Sequence, residues 1–353
     1  MRPVVVPFFI PHLGCPHRCV FCDQEKIAGG RGVLPTAEDI RAKVAAWAAS
    51  SPGRGIAVAF YGGTFTALPR ADQHYLLAAL QPLVAAGSVG SVRLSTRPDA
   101  VDADSARFLR SMGVATVELG VQSMDDEVLQ LSRRGHTAAH VDAAVAALQA
   151  AGLSVGVQLM PGLPGDTFER SVESLCRVLS LKPAFLRIYP TLVIAGTDLA
   201  DLYRRGLYRP LSLEGAVYVC KEMVRKARLA KVPVVRLGLQ PTAELASAGV
   251  VLAGPYHPAF GQLVESELYF DVMCELAAGL PRESCVSLTV PAGRVSDVVG
   301  HKKRNVARQR EQFGVTVNAV VEDKALQPGQ VAVKAIPPVP PLSRGGRDGR
   351  RWQ

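Results

Sequence analysis

Over the first 190 residues, short apolar and β-branched runs alternate with Ala- and Leu-rich stretches whose apolar positions recur with helical period. The runs are VVVPFFI (4–10), IAVAFYG (56–62), SVRLST (91–96), TVELGV (116–121), LSVGVQLM (153–160) and FLRIYP (185–190). They read as strands, and the stretches between them as helices, which is the pattern of a parallel sheet flanked by helices. Thr36 followed by AED marks a helix start and predicts a helix over 38–49. Helices are also predicted over 102–111, 140–150 and 168–179, each ended by a Gly- or Pro-containing stop. Right-handed crossovers would roll six such units into an α/β, partial (βα)6 TIM-like barrel.

In such a barrel, chemistry sits at the C-terminal strand ends. The tips read CPHRCVFC, GGTF, STRPD, GVQS and MPGLPGD after strands one to five, none of them mere turn filler. A second stretch, about 197–280, is mostly helical and carries apolar runs suited to packing on the barrel. A small α+β unit follows, read as strand, helix, loop GHKK, helix and strand over 285–335. The boundaries expected are 1–280, 281–335 and a Pro- then Gly/Arg-rich disordered tail, 336–353.

The chain of 353 residues is long enough for two or three units at ~150 residues each. No apolar run reaches the ~18 residues needed to span a bilayer. The start shows no leader pattern, so a cytoplasmic protein is expected, with no membrane partner. Net charge is +9, and residues 281–353 hold 13 Lys/Arg against 6 Asp/Glu. A cationic end of this kind suits a polyanion such as nucleic acid. Of seven cysteines, Cys15, Cys19 and Cys22 crowd into eight residues and the rest are scattered, which speaks for a metal site in a reducing compartment and not for a disulfide framework. Cys176, Cys220 and Cys274 fall in helical stretches and are read as small core hydrophobes.

Three thiolates on one short loop can converge on a soft metal centre. Zinc would need a fourth ligand, for which His12 or His17 is at hand. A four-iron cluster held by three cysteines leaves one iron open to a small molecule, and Phe21 could shield it. Cys15-x3-Cys19-x2-Cys22 after a first barrel strand resembles the signature of the radical S-adenosylmethionine (SAM) superfamily over roughly residues 4–280. The resemblance implies a [4Fe-4S] cluster, SAM as cofactor, an electron donor such as flavodoxin or ferredoxin, and reductive cleavage of SAM to methionine and a 5′-deoxyadenosyl radical. It also implies that Gly62, Gly63 and Thr64 bind the methionine amino group.

Within the superfamily the tips resemble the oxygen-independent coproporphyrinogen oxidases and the radical subunit of Elongator, which modifies wobble uridine in tRNA. On that likeness Gln122 (in GVQS) and Arg134 (in LSRRGHT) contact the ribose or the methionine carboxylate. Gln158 and Ser95 stand where coproporphyrinogen enzymes carry Asp and Glu. Glu118 would touch cofactor or substrate, or pair with an internal Arg. MPGLPGDT and YPTLVIAGTDLADLYRRGLY resemble the Elongator subunit, so Tyr189, Thr191 and Thr197 are expected on the substrate side. Its first two cysteines are further apart, however, and no CoA-binding acetyltransferase domain is expected here. The loop around Tyr256, His257 and Phe260 is expected to face substrate. VVGHKKRNV resembles the Gly-x-x-Gly clamp of KH-type RNA-binding units, with Gly300 in place and Lys303 at the second Gly. Lys302, Lys303, Arg304, Arg308 and Arg310 would be its phosphate contacts. The resulting expectation is a radical SAM, iron–sulfur enzyme acting on RNA, a tRNA foremost. The alternatives are an enzyme of porphyrin or cofactor maturation, and a noncatalytic RNA-binding protein with a structural metal.

Overall fold

The computed structural model describes residues 3–10, 12–23 and 33–336. The tail expected to be disordered lies outside these residues except for Ile336. The chain divides into two compact units, Met1–Gly261 and Gln262–Gln353.

The first unit is built on seven parallel strands: β1 (Val4–Phe9), β2 (Ile56–Tyr61), β3 (Ser91–Thr96), β4 (Val114–Gln122), β5 (Ser154–Leu159), β6 (Phe185–Ile188) and β8 (Val234–Leu237). They lie side by side in that order as a curled half-barrel. β1 to β6 fall where the apolar runs place them. The last strand comes from VPVVRLGLQPT, whose short run the sequence reading assigned to a packing extension, so the sheet is one strand wider than expected. β7 (Val193–Ile194) and β9 (Val251–Ala253) form a small antiparallel ribbon.

Helices α1 (Ala37–Ala49), α2 (Arg70–Ala78), α3 (Gln81–Ala85), α4 (Ala103–Ser111), α5 (Asp126–Leu131), α6 (Ala138–Ala150), α7 (Phe168–Ser180), α8 (Asp198–Arg204), α9 (Leu213–Leu229) and α10 (Ala243–Ala246) connect them. Thr36 and Asp39 close a capping box at the start of α1, and Asp102 and Ser105 do the same for α4, satisfying backbone N–H groups that no helical carbonyl can reach.

A parallel sheet covered on both faces is apolar on both. This one is not. In β3, Val92, Leu94 and Thr96 are buried, whereas Arg93 and Ser95 on the other face are only half-buried. In β6, Leu186 and Ile188 are buried, and Phe185 and Arg187 alternate with them. The polar face lines the lumen of the half-barrel. Its lower part is filled where Phe185 lies on Gly156, since a Cβ there would stand 2.3 Å from the ring.

The second unit contains α11 (Phe260–Ala278), β10 (Cys285–Pro291), α12 (Val295–Val299), α13 (Arg304–Phe313), β11 (Thr316–Asp323) and β12 (Ala332–Ile336). β10 is central, parallel to β11 and antiparallel to β12. The boundary falls in the first turn of α11, between Gly261 and Gln262, whereas the sequence reading drew it after residue 280. The cause is visible in the packing, since Tyr269, Met273 and Ala277 of α11 share a core with Val286, Leu288 and Val290 of β10.

Candidate active site

The cysteine loop follows β1 and is pressed onto the tip of β2. Thr64 N–H donates to Leu13 O at 2.9 Å, and the Cys15 thiol meets the Thr64 hydroxyl at 3.2 Å. Gly63 makes this possible, because a Cβ there would stand 2.3 Å from Leu13 O and 2.6 Å from Ile10 O. Its lack of a side chain thus seats the cysteine loop itself. Phe21 and Cys19 pack with Val20, Val128, Leu163, Leu199 and Tyr208 in an apolar cluster that anchors the loop.

All seven cysteines are thiols. Burial, and after it the neighbouring Cys19 and Cys15, push the Cys22 thiol up to about 12, with Arg134 acting the other way. Such a site holds several thiolates only when a cation neutralises them. Among the described residues no three His, Cys, Asp or Glu side chains are gathered as a finished ligand set. The thiols are neighbours, and their soft sulfur donors on one loop fit an iron–sulfur centre.

Arg134 reaches this loop from the turn after α5. Its Nη1 donates to Cys19 Sγ at 3.1 Å and its Nη2 to Gly120 O at 2.6 Å, while its buried Nε has no partner. Arg97 supports the turn by donating to Arg134 O, and is itself held by Asp99 through two bonds of 2.9 Å. His136 Nε2 donates to Val121 O at 3.1 Å, and burial, reinforced by Arg134 and Arg97, lowers the ring to about 3, so it is neutral.

Gln122 stands at a register shift of β4 with φ 69°, and its Oε1 accepts from Gln158 Nε2 at 3.0 Å. The two glutamines that the sequence placed on separate strands therefore form one amide pair at the rim. Ser95 is beside Glu118 in register, and its hydroxyl reaches Phe60 O at 3.5 Å.

Beside these residues, Glu118 is the hub of a lumen cluster. Its carboxylate accepts from Arg187 Nε at 2.6 Å and from the Tyr61 hydroxyl at 2.8 Å, with Arg93 Nη1 at 3.6 Å. Arg187 also donates to the Tyr189 hydroxyl at 3.3 Å. Of the roles open to Glu118, pairing with an internal Arg is the one the side chain adopts. Burial first, then the Glu118 charge, push Tyr61 well above the usual phenol range, so it stays protonated.

Of the other expected positions, two are held inside the fold. Thr191 and Thr197 are buried, their hydroxyls donating to Pro161 O and Ile194 O, so neither faces a substrate. Tyr256 and His257 line a small recess with Pro190, Leu192, Gly238 and Phe260. There the Tyr256 hydroxyl is buried without a partner, and His257 Nδ1 accepts from Ala259 N–H. Cys176 is exposed, contrary to its expected place in the core, whereas Cys220 is fully buried.

In the second unit, Gly300 has φ 77°, Lys302 52° and Lys303 62°, so the turn between α12 and α13 keeps its left-handed form with Lys303 at the second glycine position. Lys302, Lys303, Arg304 and Arg310 are exposed. Arg308 differs from the expectation, since it is paired with Glu267 at 2.6 Å and lies 3.5 Å over the Phe270 ring.

Sequence reasoning missed Tyr61, Arg93, Arg97, His136 and Arg187. A signal existed for two of them: SVRLST and FLRIYP each carry an arginine at an alternate position of an otherwise buried strand, the mark of a polar lumen.

Comparison with known proteins places the chain in a family. The Radical SAM superfamily matches residues 9–175, and the Radical_SAM C-terminal domain matches residues 183–269. The tRNA uridine(34) acetyltransferase of Methanocaldococcus jannaschii is 36% identical over 129 residues, 36% of this chain and 24% of that protein. Elongator complex protein 3 of Drosophila melanogaster is 32% identical over 169 residues, 42% of this chain and 30% of that protein. The matched segments thus span a quarter to a third of these relatives. In structure, Methanocaldococcus infernus Elp3 superposes with a TM-score of 0.59 at 23% identity, covering 77% of this chain and 64% of that one, which is a likeness of fold.

The chain belongs to the radical SAM superfamily, whose enzymes cleave S-adenosylmethionine. No helix among the described residues is long and apolar enough to cross a membrane.

Proposed function

We propose that this radical SAM enzyme modifies RNA, a tRNA foremost, and that its C-terminal unit binds the RNA backbone in the manner of a KH unit. A [4Fe-4S] cluster, when bound, supplies the single electron that breaks a carbon–sulfur bond of SAM and releases a 5′-deoxyadenosyl radical. The chain's own residues do the rest. Cys15, Cys19 and Cys22 hold the cluster, while Gly62, Gly63 and Thr64 bind the methionine end. Gln122, Gln158, Arg134 and Ser95 at the rim orient SAM, and the half-closed lumen keeps water from the radical.

The observation that carries the RNA reading is the left-handed turn Gly300–Lys303, which sets three exposed cations, Lys302, Lys303 and Arg304, at the start of α13. Backbone N–H groups and cations at such a turn suit phosphate. Relatives named for tRNA uridine modification support the same substrate class. The test is RNA binding by the anaerobically reconstituted protein as a function of salt. Affinity should fall steeply with ionic strength, and K302E/K303E should weaken it across all sequences. Salt-independent binding, or none, would leave a small-molecule substrate as the reading.

A further inference from the structure

We infer that the lumen beside the SAM rim is a binding subsite for an anionic group, a phosphate or a carboxylate, and that Arg93 is the residue that takes it. The proposal rests on the reading that the lumen is where the radical meets its substrate, and it names the chemistry of what enters.

Two arginines and a carboxylate face one another there from β3, β4 and β6: Arg93, Arg187 and Glu118. Two cations oppose one carboxylate, so the cluster carries one uncompensated positive charge, and Tyr61 stays protonated beside it. The two arginines are not equivalent. Arg187 is committed, with Nε on Glu118 at 2.6 Å, Nη2 on Tyr61 at 3.1 Å and Nη1 on Tyr189 at 3.3 Å. Among the described residues Arg93 makes one long contact, Nη1 to Glu118 at 3.6 Å, and its buried Nε has no hydrogen-bond partner. Only about a fifth of its side chain is exposed, at 21%. A buried guanidinium N–H left without an acceptor is unfavourable unless a ligand meets it. The planar donor fork of arginine matches a carboxylate or phosphate with two parallel bonds.

The subsite adjoins the residues expected to hold the cofactor, since Glu118 stands in register with Ser95 and Arg187 with Gln158. Arg93 precedes the rim residue Ser95 by two positions on the same face of β3, and its one contact is to Glu118, two residues short of Gly120. Gln122, Gln158 and Arg134, the other residues expected to hold SAM, have hydrogen-bond partners of their own, and none of those partners is Arg93.

The test uses the reconstituted, SAM-loaded protein and three probes: uridine 5′-monophosphate, inorganic phosphate and acetate, titrated anaerobically into wild type, R93Q and E118Q. SAM affinity is measured in parallel. Wild type should bind at least one anion, R93Q should bind it about tenfold more weakly or worse with SAM affinity unchanged, and E118Q, which lacks the competing carboxylate, should bind it more tightly. Tighter binding of uridine 5′-monophosphate than of inorganic phosphate identifies a nucleotide as the source of the anion, equal binding of the two identifies a free phosphate, and preference for acetate identifies a carboxylate co-substrate. If R93Q does not load iron, R93K carries the test, because it keeps the charge and loses the fork. Weaker anion binding by R93K supports the subsite, and wild-type affinity overturns it. The proposal also fails if wild type binds none of the probes, if R93Q binds them equally, or if R93Q loses SAM instead. None of these readouts involves RNA, so they stand apart from the RNA reading.

Discussion

The Arg134 guanidinium donates to the Cys19 thiol across 3.1 Å, joining the turn after α5 to the cysteine loop after β1. The same turn accepts Val20 N–H at Ser132 O, and Gly135 lies against the His17 ring with no room for a Cβ. Two segments more than a hundred residues apart are thus clasped at the metal-binding loop, with Asp99 and Arg97 bracing the clasp.

A cation bonded to a cluster ligand favours the reduced, more negative state. Removing it with R134Q should move the cluster to a more negative potential, on the order of 60 mV for a tenfold change in a one-electron couple. An EPR-monitored redox titration reads this directly. An unchanged potential with weakened SAM binding would assign Arg134 to the cofactor carboxylate alone.

Gly63→Ala should unseat the cysteine loop, since the new methyl would collide with two backbone oxygens that cannot turn aside. Overpacking of this kind costs about 1–3 kcal/mol. The barrel should survive, with iron per chain after reconstitution falling severalfold. Full iron loading in the variant would contradict the seating role.

His136 gives the fold an acid sensitivity. Its folded value of about 3 lies below the ordinary 6.5, so the unfolded chain binds the proton more readily than the native one. Stability from this group is complete above pH 6.5 and is lost as pH falls from there toward 3, by up to about 1.4 kcal/mol per pH unit. Denaturant melts at stepped pH should show that slope, and H136Q, which keeps an N–H for Val121 O but does not titrate, should flatten it. Equal slopes in the two proteins would remove His136 as the cause.

Lys303 adopts φ 62° where glycine is at ease. Relief of left-handed strain by K303G should raise stability by about 0.5–1 kcal/mol, read as a higher denaturation midpoint. It should also remove one phosphate contact, lowering the salt slope of RNA binding by about one. A destabilised variant would mean that the lysine side chain holds the turn.

Much of this was legible in the sequence because the strands and caps are local. The six apolar runs became β1 to β6, and Thr36 caps α1 as its AED context implies. The cysteine triplet and the Gly-Gly-Thr tip were singled out from spacing alone, and the fold brings them together through Thr64. The lumen was not. Arg93, Glu118 and Arg187 are on three strands and converge only when the sheet curls, and the bond from Arg134 to Cys19 spans 115 positions. The helix α11 was assigned to the wrong side of the boundary because its apolar residues say that it packs, but not against which sheet. β8 escaped notice because a four-residue run at a sheet edge carries little periodic signal.

The central claim is that Cys15, Cys19 and Cys22 hold a four-iron cluster with one iron free for SAM. Anaerobic reconstitution, followed by metal and sulfide analysis and by assay with dithionite and SAM, tests it most directly. The account predicts about four irons and four sulfides per chain, a reduced-state EPR signal that changes when SAM is added, and formation of 5′-deoxyadenosine. A chain that binds one zinc, or an iron cluster whose signal ignores SAM and yields no 5′-deoxyadenosine, would contradict it.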